Sequence, residues 1–196
     1  FFDLRLLAIH YSASDNSYEK LLHLVNKYPE MIHELDKDGN TALHNAAKKA
    51  SRRTLKLLLK KGLDPNVINL MGYSPLHLII MSKATNRDDC CLYMLNRGFD
   101  SEIRTPDGKS CLLLACEHGR STIVSHLIAN GEDPNVFDNS GLTCLQAACA
   151  KGSAQIVQNL LIHGADPNVP GARGFFPMHD AINSGNIDIV KEMVSY

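Results

Sequence analysis

The sequence predicts an all-α fold, a solenoid of stacked helix-turn-helix units from which β-hairpin or turn fingers project. The first observation is a nine-residue stretch that occurs five times, most clearly as Asp36-Lys-Asp-Gly-Asn-Thr-Ala-Leu-His44. The second is its spacing, because the glycines at its fourth place follow one another after 33, 36, 33 and 33 residues: Gly39, Gly72, Gly108, Gly141 and Gly174. Repeats of this length bury their apolar faces only by stacking on neighbours.

The spacing predicts one domain over residues 1–196, made of six repeats. Their expected boundaries are 1–35, 36–68, 69–104, 105–137, 138–170 and 171–196. The first repeat is degenerate, as end repeats of solenoids are, because one of their faces meets water. The start at Phe1-Phe2-Asp3 lacks the basic segment of a signal peptide. We therefore expect the chain to start, and at Tyr196 to end, inside a longer protein.

The first repeat is expected to contain two helices, over residues 4–10 and 19–25, where apolar residues recur at helical spacing. Residues 12–17 form the polar connection between them. Pro29 ends the second helix, because proline cannot continue one.

The second repeat has the clearest pattern. Asp36 and Gly39 occupy the first and fourth places of a type I turn. Thr41 then caps a helix, and residues 55–59 mark a second, more apolar helix. Gly62 supplies the left-handed residue that ends it.

The later repeats follow the same plan. In the third, Ser74 is the cap, Pro75 takes the first helical position, and residues 90–95 form the second helix. Its three extra residues are expected within 81–89, where the helices join, because stacking surfaces tolerate no insertion. The helix-ending glycines are Gly98, Gly131 and Gly164.

These features together resemble the ankyrin repeat. The motifs that carry the resemblance are Gly39-Asn-Thr-Ala-Leu-His-Asn-Ala-Ala47, Gly72-Tyr-Ser-Pro-Leu-His77 and Gly164-Ala-Asp-Pro-Asn-Val169. The resemblance covers residues 36–196 well and 1–35 loosely. It implies a row of fingers that forms a concave face with the first helices, while the second helices form the convex back. It does not identify a partner, because fold does not imply function.

Three histidines stand at the third helical residue after the cap, namely His44, His77 and His179. A side chain there reaches back toward the cap, much as in a capping box, so the structural role is favoured over catalysis or metal binding. Leu113 and Gln146 replace histidine in the fourth and fifth repeats. The role of the histidine is therefore not essential in every repeat.

The six cysteines are interpreted as core residues of a reduced, intracellular protein. Cys111 and Cys144 lie one period apart, and so do Cys116 and Cys149. Repetition by the architecture favours small buried side chains over a disulfide framework. Zinc is the alternative, but the spacing lacks a second pair at CxxC distance.

No motif for catalysis is present, so we predict no enzyme activity in this segment and no cofactor or metal. The phosphate-binding, zinc-protease and nucleophile-elbow motifs are missing. The Asp36–Gly39 stretch lacks the further ligands of a calcium loop. The formal net charge is −1, and no apolar run is long enough to span a bilayer. An enzyme elsewhere in a longer protein stays open.

Candidate partner-binding residues are those that the repeat pattern leaves free. On the fingers, the position after the glycine is occupied by Asn40, Tyr73, Lys109, Leu142 and Phe175. Large apolar residues there, at places that are normally exposed, indicate an interface. The predicted finger contacts are Leu70, Met71, Tyr73, Leu142 and Phe175. The alternative is that tip residues pack on adjacent fingers.

The first helices contribute further candidates. The positions that face a partner hold Asn45, Leu78, Met81, Leu114 and Asp180. Basic, apolar and acidic residues follow one another along this face. Such a mixed surface suits a protein or an extended peptide better than a ligand of one charge.

A basic run accompanies the second helix of the second repeat: Lys48, Lys49, Arg52, Arg53, Lys56, Lys60 and Lys61. It could bind an acidic partner, phospholipid or nucleic acid. The favoured interpretation is the solvated outside of an amphipathic helix, because no aromatic residue interrupts the run.

The resemblance also implies a modification. Asparagines at the exits of ankyrin repeats are hydroxylated by a cytosolic oxygenase, typically with a leucine eight residues earlier. Asn66, Asn135 and Asn168 meet this pattern. The alternative is a structural role in the turn.

The predicted function is a protein-binding scaffold or adaptor in signalling, which binds a protein or extended peptide through its concave face and finger tips. Nucleic acid and small-molecule substrates are not expected. A monomeric, cytoplasmic array is expected, with the nucleus as the other location. Two alternatives remain open: a regulatory or targeting arm of a larger enzyme, channel or pathogen effector, and an inhibitor that masks a transcription factor.

Overall fold

The computed structural model describes residues 4–15, 17–171 and 174–196. Phe1-Phe2-Asp3, which entered the expectation about the chain start, lie outside the described residues. So do Asn16 of the predicted polar connection and Ala172 and Arg173 of the last repeated stretch.

The described residues form twelve α-helices and one 3-10 helix, Pro29–His33, with an isolated bridge between Phe137 and Thr143 as the only β pairing among them. The α-helices are α1 (Leu4–Ser14), α2 (Tyr18–Lys27), α3 (Ala42–Lys48), α4 (Arg52–Lys60), α5 (Pro75–Met81), α6 (Arg87–Leu95), α7 (Cys111–Glu117), α8 (Ser121–Ala129), α9 (Cys144–Lys151), α10 (Ala154–Ile162), α11 (Pro177–Asn183) and α12 (Ile187–Ser195). The predicted all-α class with two helices per repeat is confirmed.

The chain divides into two compact units. The first ends at Ile103 and the second is Arg104–Tyr196. In the first unit, α3 packs between α1 and α5, and α2 contacts α4. In the second unit, α9 packs between α7 and α11, and α10 between α8 and α12. Within each unit, first helices thus stack on first helices and second helices on second helices.

The core follows from the amphipathic pattern of each helix. First helices contribute small buried residues such as Ala46, Ala115 and Ala148, and second helices contribute larger ones such as Leu58 and Ile123. Small side chains let neighbouring first helices approach closely while larger ones fill the remaining volume. All six cysteines are free and buried, which confirms that they are core residues.

The connection between α5 and α6 contains the insertion, as predicted. The first helix ends at Met81 and the second begins at Arg87, three residues before the predicted start at Cys90. The end of α1 also differs from prediction, since the helix continues through Ser12 and Ala13, which are buried. Burial of the small polar Ser12 makes this segment helical although its composition is typical of a loop.

The predicted helix ends are confirmed. Pro29 lies two residues after the end of α2 and starts the 3-10 helix, which was not predicted. After α4, Gly62 has a φ of +86°, the left-handed conformation that glycine adopts at little cost. At the start of α5, Ser74 Oγ accepts a hydrogen bond from the His77 N–H at 3.4 Å.

Candidate functional site

The turn at the start of a repeat is fixed by hydrogen bonds that its first side chain accepts. Asp36 Oδ1 accepts from the backbone N–H groups of Asp38 and Asn40, both at 2.9 Å. Burial alone would raise the pKa of this carboxyl, but these bonds, together with those from the Asn40 and Asn45 side chains, lower it below its ordinary value. We call these turns fingers. The fingers are residues 36–41, 69–74, 105–110 and 138–143, with 174–176 as part of a fifth.

Neighbouring fingers of one unit are bonded to each other. In the first unit, the Leu70 N–H donates to Asp38 O at 3.1 Å, and Asn69 Nδ2 donates to Asn40 Oδ1 at 2.8 Å. In the second unit, the Asn139 N–H donates to the carbonyl of residue 107 at 2.9 Å. A surface built from bonded fingers loses little conformational entropy when it binds a partner.

His44 joins its own helix cap to the next finger. Its Nδ1 accepts from the Thr41 N–H at 3.0 Å, so its Nε2 carries the proton and donates to Tyr73 O at 3.0 Å. Burial lowers its pKa to about 4. Both ring nitrogens are occupied by structural bonds, which supports the structural role over catalysis or metal binding.

Gln146 makes the same pair of bonds where histidine is missing. Its Oε1 accepts from the Thr143 N–H at 3.2 Å, and its Nε2 donates to Phe175 O at 2.8 Å. The link between repeats is therefore retained in the fifth repeat without a histidine. Leu113, at the same place in the fourth repeat, is fully buried and apolar.

In the first unit, the tip of the finger 69–74 carries two adjacent exposed apolar residues. Leu70 is 79% exposed and Met71 is 65% exposed. Tyr73 is half-buried, and its ring meets the His77 ring edge-on with centroids 6.2 Å apart. Isolated exposed apolar residues are ordinary, whereas adjacent ones on a fixed turn mark an interaction site.

In the second unit, Phe175 is half exposed and Leu142 half-buried. The Phe175 ring meets the His179 ring edge-on, with the ring centroids 5.5 Å apart. The Phe176 ring stacks on the same histidine ring, with the centroids 6.0 Å apart. Tyr73 belongs to the first unit and these residues to the second. A single row along all fingers therefore stays a prediction.

Two of the predicted partner contacts on the first helices have side chains that are buried, contrary to the exposure that the sequence analysis expected. Asn45 is 8% exposed, and its Nδ2 donates to His10 Nδ1 at 2.9 Å. Leu114 is 4% exposed. Neighbouring first helices cover this position, which a view of one repeat alone cannot show.

The remaining candidates on the first helices are half-buried and reach the surface. They are Leu78 and Met81 in the first unit and Asp180 in the second. Burial raises the pKa of the Asp180 carboxyl, partly offset by a hydrogen bond from Gln146. A carboxyl in such a place favours a cation or hydrogen-bond donor from a partner.

The position after the finger glycine is not generally exposed, contrary to the expectation from sequence. Asn40 is 1% exposed, and the Lys109 Nζ is bonded to Glu117 at 2.7 Å and to Asp107 at 3.3 Å. Burial alone would lower the pKa of Lys109, but its bonds to Glu117 and Asp107 raise it. In the finger 69–74 the exposed places lie one and two residues before the glycine instead, at Met71 and Leu70.

The described residues contain no group of three His, Cys, Asp or Glu side chains that could bind a metal ion. Within the same residues, no helix is long and apolar enough to cross a membrane. Burial raises the pKa of the Cys91 and Cys149 thiols to about 12, which keeps both thiols protonated.

The model of the family described as Ankyrin repeats (3 copies) matches residues 9–107, 78–171 and 112–196. Among curated proteins, the chain is 27% identical to human (Homo sapiens) transient receptor potential cation channel subfamily A member 1, over 64% of this chain and 11% of that protein. It is 31% identical to Neurogenic locus notch homolog protein 1 of Xenopus tropicalis, over 58% of this chain and 4% of that protein. The chain thus spans a small part of the length of these relatives.

Solved structures have the same fold. The crystal structure of the ankyrin repeat protein EF0377 has a TM-score of 0.83 and 26% identity, covering 96% of this chain and 97% of that chain. The ankyrin repeat domain of Bcl-3, a member of the IkappaB protein family, has a TM-score of 0.79 and 26% identity, covering 96% and 85%. A chain in the complex of a Bdellovibrio bacteriovorus predatory endopeptidase with its immunity protein has a TM-score of 0.84 at 23% identity, covering 96% and 97%, and shows the fold alone.

Proposed function

Since the chain belongs to the ankyrin-repeat family, we propose that it binds a protein or an extended peptide through its finger tips and the exposed parts of its first helices. Ankyrin repeats are in general protein–protein interaction modules, and their fold is a non-catalytic scaffold. The observation that carries the proposal is the pair Leu70 and Met71, exposed side by side on a finger whose backbone is bonded to its neighbour.

The proposed surface has one part in each unit. The first-unit patch consists of Leu70, Met71, Tyr73, Leu78 and Met81. The second-unit patch consists of Leu142, Phe175 and Asp180. Apolar side chains that are exposed before binding and buried after it contribute about 25 cal/mol per Å² of buried area. The fixed fingers reduce the entropy cost that would otherwise offset this gain.

We expect Leu70→Ser with Met71→Ser to weaken partner binding about tenfold or more, because two anchors become polar. The free energy of unfolding should change by less than about 0.5 kcal/mol, since surface substitutions away from structural contacts have small effects. Tyr73 is less suitable for this test, because its ring also contacts His77. The measurement is affinity capture with the intact chain, followed by titration of each recovered protein.

The matched control is Ile187→Ser with Val194→Ser, which removes two equally exposed apolar residues from α12. Proteins that depend on the patch should be lost with the finger variant and retained with the control variant. Equal retention by both variants would contradict a role for the finger tip.

A second candidate is a regulatory or targeting arm of a larger protein. The observation that favours it is the length of the curated relatives, of which the chain spans 11% and 4%. The sequence of the complete gene would test it directly. The inhibitor that masks a transcription factor is a further proposal, and recovery of no DNA-binding protein in the same capture experiment would argue against it.

Hydroxylation of Asn66, Asn135 and Asn168 also stays a proposal, and the structure ranks the three side chains. Asn135 Nδ2 donates to Gly164 O at 2.9 Å, and its Oδ1 accepts from the Asp166 N–H at 2.9 Å. Asn66 makes equivalent bonds to the next repeat exit. Among the described residues, Asn168 has no such partner and is exposed.

We therefore expect Asn168 to be hydroxylated more readily than Asn135 when the protein is expressed natively. The reason is that no hydrogen bond between its side-chain amide and the next repeat has to break first. Peptide mass spectrometry would measure the occupied fraction at each site. Higher occupancy at Asn135 would contradict the ranking, and unmodified intact protein would contradict the modification.

A further inference from the structure

The solvent-facing side of α4 carries only basic charge. Arg52, Arg53, Lys56 and Lys60 are exposed there, and no acidic residue lies on the helix. The apolar residues of α4 point inward, with Leu55 and Leu58 fully buried. From sequence alone this is an ordinary solvated face, because the run contains no aromatic residue.

The structure places aromatic residues beside this run from the neighbouring second helices. The Arg53 guanidinium lies over the ring of Tyr18 from α2, 4.3 Å from its centroid. On the other side, the guanidinium groups of Arg52 and Arg97 lie over the ring of Tyr93 from α6, at 5.3 and 5.4 Å. The basic run contains no aromatic residue in the sequence, but the surface around it includes the rings of Tyr18 and Tyr93.

Two grooves flank α4. The groove toward α2 encloses about 570 Å³, and Tyr18 and Leu22 contribute to its wall. The groove toward α6 encloses about 430 Å³, and Tyr93 contributes there. Lys56 and Lys60 line both grooves. Four residues of helix separate these two lysines by about 6 Å along the axis.

Lys56 and Lys60 are the cations that are available to a ligand. Arg52 pairs with Asp89 at 3.0 Å, and Arg53 with Glu19 at 3.7 Å. Among the described residues, no carboxylate lies within ion-pair distance of either lysine. The ion pairs and stacked guanidinium groups therefore frame the grooves, while two ammonium groups remain open between them.

The chemistry of the surface distinguishes three classes of ligand. Single-stranded nucleic acid binds by stacking bases on open aromatic faces, but guanidinium groups lie over both tyrosine rings. Insertion into a bilayer requires exposed apolar side chains, which α4 lacks. In an extended peptide, residues two apart are separated by about 6.6 Å, which is close to the spacing of the two lysines.

We propose that the outer face of α4 is a second binding surface, which takes an extended acidic segment of a partner protein. Side chains two residues apart lie on one face of an extended segment, so two carboxylates at that spacing contact Lys56 and Lys60. This surface is separate from the finger tips and does not depend on the function proposed for them.

The test is a fluorescence anisotropy titration of the full chain with a labelled peptide in which glutamate alternates with serine. We expect Lys56→Glu with Lys60→Glu to weaken binding about tenfold or more, and binding to fall as salt is added. Lys56→Gln with Lys60→Gln should give a smaller loss in the same direction. Circular dichroism of each variant confirms that it is folded.

The matched control is Lys37→Glu with Lys83→Glu, which makes the same change in net charge at two exposed lysines outside α4. It should bind within about twofold of the unchanged protein, because local charge pairs and not net charge set the affinity. Equal losses in both double variants would overturn the proposal. So would stronger binding of phosphatidylserine vesicles or of oligothymidine at the same lysines, or no binding of the peptide. Leu70→Ser with Met71→Ser should leave peptide binding unchanged.

Discussion

Gly108→Ala should lower the free energy of unfolding by about 2–3 kcal/mol. Gly108 has a φ of +86°, and a Cβ atom there would lie 2.9 Å from the backbone N of Asn139 and closer still to its Oδ1. The side-chain oxygen can rotate away, but the backbone N cannot, because it donates to Asp107 O. The substitution therefore adds the loss of the hydrogen bond between the two fingers, about 0.5–1.5 kcal/mol, to the strain of the left-handed conformation.

Gly131→Ala is the matched control for this prediction. Gly131 has a φ of +93° in the same unit, and nothing lies within 4 Å of the place of its Cβ. It should cost only the left-handed strain, about 1–2 kcal/mol. Urea unfolding followed by circular dichroism measures both values. Equal costs would contradict the view that contact between fingers, and not backbone conformation alone, requires glycine at residue 108.

The fold could be predicted from the sequence because its signals are local and repeated. Thr41 and Ser74 identify helix starts, and Gly62 identifies a helix end, through bonds and backbone angles within a few residues. Five copies in phase make each signal stronger than it would be alone. The local failures, at Ser12 and in the 3-10 helix after Pro29, are places where burial or a short turn decides the conformation.

The binding surface could be predicted only in part, because exposure depends on the neighbouring repeats. Asn45 and Leu114 have the right position on an isolated repeat, yet the adjacent first helices cover them. Leu70 and Met71 were predicted as exposed apolar residues from their place in the repeat pattern, and both side chains are exposed. The tyrosines beside α4 were missed because they come from the repeats before and after it.

The second large effect concerns acid. We expect the chain to lose about 2 kcal/mol of stability through His44 alone when the pH falls from about 7 to about 5. Burial lowers the folded-state pKa of His44 to about 4, whereas an unfolded histidine titrates near 6.5. Protonation at Nδ1 also removes the acceptor of the Thr41 N–H.

The sign follows from the order of the two pKa values. Between them, the unfolded chain binds a proton at residue 44 and the folded chain does not, so acid favours unfolding. The contribution of His44 is complete above about pH 6.5 and is lost as the pH falls toward about 4, where the loss reaches about 3 kcal/mol. Burial also lowers the pKa of His10 and His118, which adds to the slope in the same direction.

His44→Gln isolates the contribution of this one residue, because the chain already uses glutamine at the same place. Gln146 accepts from the cap N–H and donates to the next finger without a titrating group. The variant should match the unchanged protein within about 1 kcal/mol at pH 7, since both hydrogen bonds can be retained. The free energy of unfolding of the variant, relative to that of the unchanged protein, should then be about 2 kcal/mol higher at about pH 5 than at pH 7.

Urea unfolding at each pH gives these values, and the contributions of His10 and His118 cancel because both proteins contain them. Parallel curves of stability against pH would show that the pKa of His44 is the same in the folded and the unfolded chain, and would contradict the assignment of its Nδ1 as a buried acceptor.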